Sequence, residues 1–172
     1  MGVEVLDNVF DYGYQEEIYD ICARSSYGLG WIDNGDIENR NKLNFHCTIN
    51  PHHIQDSKID EKILKTRFGK ELIGWKLDFG VINVSHPGQT YYEHTHPNQK
   101  VVLYYPNLRW NREWGGETLF YDNKGKNLIF ASEYKSNRLI LFDGEIPHSI
   151  RAPSYLADQY RFTMSFFYIP IN

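Results

Sequence analysis

The sequence predicts a mainly β fold, a double-sheet jelly roll or barrel supported by N-terminal helices. Two observations carry that expectation. From Gly74 onward the chain is a series of short runs rich in β-branched and aromatic residues, cut by turn punctuation at Pro87-Gly88, Gly115-Gly116, Asn123 to Gly125, Asp143-Gly144 and Pro153. Ahead of that stretch, apolar residues recur instead at helical spacing. The length of 172 residues fits one domain, 1–172, divided into a helical and loop support over 1–73 and a β core over 74–172.

Tyr14, Ile18, Ile21 and Cys22 mark the first helix. Asp11 precedes it, a residue whose side-chain oxygen satisfies the free N–H groups of a first turn. Ile59, Ile63 and Leu64 mark a second helix, with Asp56 and Ser57 ahead of it in the same role. Between them Gly28 to Pro51, rich in Gly, Asn and Asp, reads as loop with one short strand near Leu43 to Ile49. The strand runs are Trp75 to Ser85, Lys100 to Pro106, Glu117 to Asp122, Leu128 to Tyr134, Arg138 to Phe142, His148 to Ala152 and Arg161 to Ile169. Short antiparallel strands in this number, behind two packing helices, make a double sheet whose mouth can hold a small ligand.

Composition excludes several function classes. Lys and Arg total 18 against 22 Asp and Glu, a net charge of −4 with the two signs interspersed, which argues against a nucleic-acid groove. Hydrophobic residues make up 41% and aromatics 16%, enough for a dense core with aromatics left for a pocket. Cys22 and Cys47 cannot make a disulfide framework, and no charged segment followed by an apolar one opens the chain, so a cytoplasmic location is expected. No run approaches the roughly 20 apolar residues that span a bilayer, so no membrane partner is expected.

Chemistry concentrates in two places. His94-Thr95-His96 lies just ahead of a strand, where period-2 alternation aims both rings to one side. A third imidazole, His148, follows Pro147 in a separate run that an adjacent strand of a small barrel can bring alongside. Imidazole suits iron, copper, zinc and nickel, so residue type alone does not choose the metal, and a surface HxH pair is the bland alternative. In the last strand, alternation groups Arg161, Thr163, Ser165 and Phe167 on one face and Phe162, Met164 and Phe166 on the other. A guanidinium facing a core needs an anion: either a carboxylate ligand, with Thr163 donating beside it, or one of the chain's own acids. The same parity groups Val101, Leu103 and Tyr105, so the Tyr105 phenol can reach such a carboxylate.

Together these residues resemble the Fe(II)- and 2-oxoglutarate-dependent dioxygenases, in particular the prolyl 4-hydroxylase-like branch. The resemblance covers roughly Asn83 to Tyr168. It runs in order through Pro87-Gly88, His94, Leu103-Tyr104-Tyr105-Pro106-Asn107, Trp110, Trp114-Gly115-Gly116-Glu117-Thr118, Leu141-Phe142-Asp143-Gly144, Pro147-His148-Ser149 and Arg161-Phe162-Thr163. It implies a double-stranded β-helix with iron at His94 and His148, 2-oxoglutarate chelating the metal, and Arg161 on its distal carboxylate assisted by Thr163 and Tyr105. Further implications are molecular oxygen as co-substrate, ascorbate as a stimulant, and oxidative decarboxylation to succinate and carbon dioxide coupled to attack on a substrate C–H bond.

The sequence departs from the family pattern at one ligand. Asp or Glu is expected two residues after the first histidine, and His96 stands there. His96 is a ligand of a three-histidine site, or points away and leaves a two-histidine site like that of the halogenating branch, or marks lost activity; the first reading is favoured. Glu93, adjacent to His94, points to the opposite face of an extended strand.

The expected activity is hydroxylation of an amino-acid-like small molecule or a peptidyl residue such as proline. The rivals are a catalytically silent metal- or ligand-binding jelly roll and a three-histidine iron oxygenase that does not use 2-oxoglutarate. His46, His52 and His53 read as surface residues of the loop region, and His86 as a turn residue. Trp110 and Trp114 read as either a lid or packing under a loop, Glu117 and Thr118 as pocket or strand-pairing residues, and Cys22 as core. Asn83-Val84-Ser85 is a chance glycosylation sequon. Substrate identity and oligomeric state are left open.

Overall fold

The computed structural model describes residues 2–30, 44–89 and 92–171. Among the described residues ten strands form two sheets. In chain order they are β1 (Glu4–Asp7), β2 (Gly28–Leu29), β3 (Phe45–Thr48), β4 (Trp75–Ser85), β5 (Lys100–Tyr105), β6 (Thr118–Tyr121), β7 (Leu128–Ser132), β8 (Arg138–Asp143), β9 (His148–Ile150) and β10 (Arg161–Pro170). The larger sheet runs β1-β8-β5-β10-β4-β3-β2 and the smaller β7-β6-β9. Every pairing is antiparallel. Facing sheets with the chain passing repeatedly between them are the predicted jelly roll.

Strand parity sorts the side chains as the sequence requires. Val101, Leu103 and Tyr105 of β5 and Phe167 of β10 belong to the cluster between the sheets, with Val81, Phe120, Ile140 and Phe142. Their neighbours Val102, Tyr104, Phe162, Met164 and Phe166 face the other way, onto the helices. Because both faces of the large sheet are covered, β5, β8 and β10 read as nearly continuous apolar runs.

The first helix, α1, spans Tyr12–Arg24, and Asp11 caps it by accepting from the Tyr14 amide at 3.0 Å. Ile18 and Cys22 are fully buried on its sheet-facing side. The predicted second helix is corrected to three short ones, α2 (Pro51–Ser57), α3 (Ile59–Leu64) and α4 (Phe68–Glu71). Asn50, accepting from the His52 amide at 2.9 Å, with Pro51 behind it, is the stronger start signal, so Asp56 and Ser57 end a helix instead of opening one. Lys58 then turns through a left-handed conformation, φ 54°, before α3. His52 and His53 therefore sit on α2, exposed, and His46 on β3.

β3 occupies the predicted short strand, although Leu43 and the rest of 31–43 lie outside the described residues. β1 escapes the sequence patterning because four residues are too few to show a period; Asp7 ties it to β8 through Arg138 and to the turn before β8 through Lys135. Among the described residues no helix is long and apolar enough to cross a membrane.

Candidate metal centre and carboxylate pocket

The histidine cluster is assembled by the backbone. The amide of His94 donates to the carbonyl of His148 and the amide of His148 to that of His94, both at 3.0 Å, an isolated antiparallel bridge that adds His94 to the β9 edge of the small sheet. The His96 amide donates to Gly144 O at 2.7 Å, fixing the second histidine of the pair against the turn after β8. The extended backbone between them puts both rings on one side, as their spacing predicted, and Glu93 is exposed and lies against Gly125.

The candidate ligand atoms of His94, His96 and His148 all lie within 4.8 Å of one another, the one such group among the described residues. Ring centroids are 4.9, 4.4 and 5.1 Å apart for the pairs 94/96, 94/148 and 96/148. Nδ1 of His94 meets Tyr92 O at 3.1 Å and Nδ1 of His148 meets Ile146 O at 2.9 Å. Each carbonyl can only accept, so Nδ1 carries the proton and Nε2 is left with its lone pair for a metal. His96 packs edge-on against Phe167 at 4.8 Å.

Burial and the neighbouring His94 hold the His96 ring down to about 3, and burial with both neighbours holds His148 well below its usual value. Both imidazoles are therefore neutral, the form that ligates metal. Three imidazoles, two of them with the tautomer fixed by a backbone carbonyl, fit a divalent transition-metal ion.

The cavity beside the rings is lined by Asn83 and Val81 of β4, Val101 and Leu103 of β5, Thr118 of β6, and Thr163, Ser165 and Phe167 of β10. Arg161 and Tyr105 lie directly behind the two threonines. Arg161 is fully buried. It donates from Nε to Gly116 O at 2.8 Å, from one terminal nitrogen to Thr163 Oγ1, and from the other to Thr118 Oγ1 at 3.3 Å. The Tyr105 hydroxyl shares a 2.5 Å hydrogen bond with the same Thr118 oxygen. The guanidinium carbon lies 5.3 and 4.7 Å from the ring centroids of Tyr105 and Tyr134. Among the described residues no ion pair includes Arg161, so none of their acids supplies its anion.

Asn107 sets the height of this arginine. Fully buried at the end of β5, it donates to Tyr160 O at 2.9 Å and Gln159 Oε1 at 3.1 Å, and accepts from the Phe162 amide at 3.0 Å and the Tyr134 hydroxyl at 2.5 Å. The start of β10 is thereby pinned on both sides of Arg161. Gly116 is required beneath it: its φ is +84°, and an added Cβ would stand 3.0 Å from Arg161 Cδ.

The remaining sequence candidates sort plainly. Trp110 and Trp114 pack under the loop as an edge-to-face pair at 5.2 Å, Trp110 donating to Gly115 O at 2.9 Å, and Trp114 is buried. Glu117 faces Arg151, whereas Thr118 lines the cavity. His86 borders a separate aromatic groove with Tyr27, Phe45 and Tyr160. Asn83 to Ser85 lie in the middle of the large sheet, which accounts for the sequon as chance. Ser165 lines the cavity on the face that strand parity gave it, whereas Asn83, Tyr134 and the hub role of Asn107 are what sequence reasoning passed over; for Asn83 the signal was present, in the parity of β4.

No family model matches the chain, and no curated protein matches it by sequence. Solved structures match its fold over nearly the whole length. A 2-oxoglutarate–Fe(II) oxygenase family oxidoreductase from Burkholderia pseudomallei aligns with TM-score 0.72 and 16% identity, covering 99% of this chain and 86% of that one. A prolyl hydroxylase from Trichoplax adhaerens, in complex with a hypoxia inducible factor peptide fragment, aligns with TM-score 0.71 and 17% identity over 98% and 84%. HygX from Streptomyces hygroscopicus, with nickel, 2-oxoglutarate and hygromycin B bound, aligns with TM-score 0.66 and 13% identity over 98% and 83%. The chain has the double-stranded β-helix fold of these oxygenases.

Proposed function

We propose that this protein is an Fe(II)- and 2-oxoglutarate-dependent oxygenase, with metal held by His94, His96 and His148 and the distal carboxylate of the co-substrate held by Arg161, Thr163 and Tyr105. One observation carries the reading. A fully buried arginine with no acidic partner among the described residues sits behind the wall of the same cavity that the three imidazoles open onto. A buried cation left unpaired is costly, and a planar guanidinium matches a carboxylate.

Iron bound at the three imidazoles would supply oxidative decarboxylation of 2-oxoglutarate to succinate and carbon dioxide, coupled to oxidation of a substrate C–H bond by molecular oxygen. The chain's own residues bind, orient and exclude water. Arg161 would fix one end of the co-substrate through a charge-assisted fork, and Thr163 and Thr118 would add hydroxyl donors beside it. Tyr105, hydrogen-bonded to Thr118, orients that hydroxyl. Val81, Val101, Leu103 and Phe167 form the apolar wall that keeps water from the space between.

The substrate is proposed to be an amino-acid-like small molecule or a peptidyl residue such as proline. The support is that structures of this fold accept both a peptide fragment and hygromycin B. Ascorbate is proposed as a stimulant of turnover, and the cytoplasm as the working compartment.

The test is an anaerobic absorption spectrum with Fe(II), before and after 2-oxoglutarate. A visible charge-transfer band that appears, and is lost in Arg161→Ala, is expected. Iron binding without a band would overturn the reading in favour of a three-histidine oxygenase that does not use 2-oxoglutarate, and failure to bind iron would favour a silent jelly roll.

A further inference from the structure

Asn83 runs against local preference. It stands within β4 between Ile82 and Val84, with β3 paired on one side and β10 on the other. Asparagine is depleted in strands, because its short amide competes for backbone hydrogen bonds and covers little apolar surface, and a residue that breaks a local rule of this kind points to a use beyond the fold. Strand parity sends its side chain to the inner face with Val81, where it lines the cavity. Its carboxamide makes no hydrogen bond among the described residues.

A second polar group on the same wall is also open. Ser165 of β10 lines the cavity and is only 6% exposed, and its hydroxyl has no hydrogen-bond partner among the described residues. Buried polar groups are ordinarily satisfied, so two open ones on adjacent strands mark this wall as a surface for a polar ligand.

The register says which end of that ligand Asn83 meets. Asn83 lies directly opposite Thr163 in the β4–β10 ladder, and side chains so paired stand about 5 Å apart at Cβ. Thr163 Oγ1 accepts from Arg161, which leaves the Thr163 hydroxyl hydrogen to donate elsewhere. On the other side of Thr163, one step beyond the Met164–Tyr104 pair, stands Tyr105 of β5. Asn83, Thr163 and Tyr105 thus form one polar row across three neighbouring strands, with Arg161 at the next inward-facing position along β10.

We propose that Asn83 is a further co-substrate-binding residue, its amide N–H donating to the distal carboxylate of a 2-oxo dicarboxylic acid from the β4 side, opposite Tyr105. The inference rests on the reading of the cavity given above. A carboxylate offers about four acceptor positions, more than the guanidinium and Thr163 fill, and a carboxamide adds a donor without adding charge, since one arginine already balances one carboxylate.

Calorimetric titration of the Mn(II)-loaded full chain tests it, with 2-oxoglutarate and with 2-oxopentanoate, the same carbon chain ending in a methyl group where 2-oxoglutarate has its distal carboxylate. At neutral pH Asn83→Ala should weaken 2-oxoglutarate about tenfold, and Asn83→Asp, which sets a negative charge against the carboxylate in a side chain of the same shape, at least about 100-fold. Neither should change the affinity for 2-oxopentanoate or for Mn(II) by more than about threefold. Loss of 2-oxopentanoate or Mn(II) in step with 2-oxoglutarate would overturn the inference and make Asn83 a structural residue of the wall. Unchanged 2-oxoglutarate affinity in both variants, beside an Arg161→Met that has lost it, would overturn the inference alone and turn Asn83 toward the oxidised substrate. A wild type that binds no 2-oxoglutarate would overturn the inference and the functional reading together.

Discussion

Replacing Arg161 by Met probes the buried guanidinium from two sides. In the ligand-free protein the side chain is fully buried, hydrogen-bonded only to neutral acceptors and stacked near two tyrosine rings. Exchanging a buried ionic group for an apolar one of similar volume is commonly neutral or stabilising, by about 1–4 kcal/mol. Against that stands the Gly116 carbonyl, which loses its donor at a cost of about 1–3 kcal/mol. The terms offset to within about 3 kcal/mol, so the melting temperature of the apo variant should move by less than about 10 °C. Binding should respond very differently. Losing one partner of a buried charge pair costs about 3–5 kcal/mol, roughly a 10²- to 10³-fold rise in the 2-oxoglutarate dissociation constant. Thermal melts with Mn(II), with and without 2-oxoglutarate, read both quantities. At ligand about 100-fold above the wild type's dissociation constant the wild type should gain about 2.7 kcal/mol, and Arg161→Met less than about 0.5 kcal/mol. An apo variant that melts more than about 10 °C lower, in a protein whose wild type ignores 2-oxoglutarate, would refute the reasoning and make Arg161 a structural post.

Gly116→Ala, which forces a Cβ against Arg161 from a backbone at φ +84°, should lower stability by about 1–3 kcal/mol and abolish the 2-oxoglutarate-dependent melting shift. Tyr105→Phe, which removes the hydroxyl that orients Thr118, should weaken 2-oxoglutarate about tenfold in the same assay while leaving Mn(II) affinity, read by calorimetry, unchanged. His96→Ala should lower Mn(II) affinity by at least about tenfold, whereas His96→Asp, which returns an anionic donor, should hold the metal at least as tightly as wild type. Asp7 is held down to about 2, chiefly by its hydrogen bond from Arg138. A depressed carboxylate contributes stability above its unfolded value near 4 and loses it as pH falls through about 2. Asp7→Asn should therefore cost about 1 kcal/mol at neutral pH, after allowance for solvent screening, and the difference from wild type in urea melts should close on acidification between those values.

Much of the barrel was legible because a strand buried on both faces still obeys a period of two. Arg161, Thr163 and Phe167 were sorted from Phe162, Met164 and Phe166 by counting alone, and the HxH pair was aimed by the same count. The helical half was less legible. Ile59, Ile63 and Leu64 are too few to date the start of a helix, and the Asn50-Pro51 signal lay within a stretch whose composition said loop. The polar network under the arginine was hidden for another reason: Thr118, Tyr134 and Asn107 belong to different segments, and only the closed fold makes them neighbours. Trp110 and Trp114 could not be divided between lid and packing until the bond from Trp110 to Gly115 was seen.

The reciprocal amide bonds between His94 and His148 bear on how the protein would come by its metal. Where a cation gathers its own ligands, as in small zinc domains, metal uptake and folding are one event and chelation unfolds the chain. Here the ligand-bearing segments are cross-braced by backbone alone, so the entropy of closing that long loop is already lost in the apo chain. A metal would enter a finished socket and leave it without unravelling the sheet. Such a socket would also tolerate exchange of a donor: His96 stands where the resemblance in sequence expects Asp or Glu, and the frame that positions it does not depend on a bond to metal.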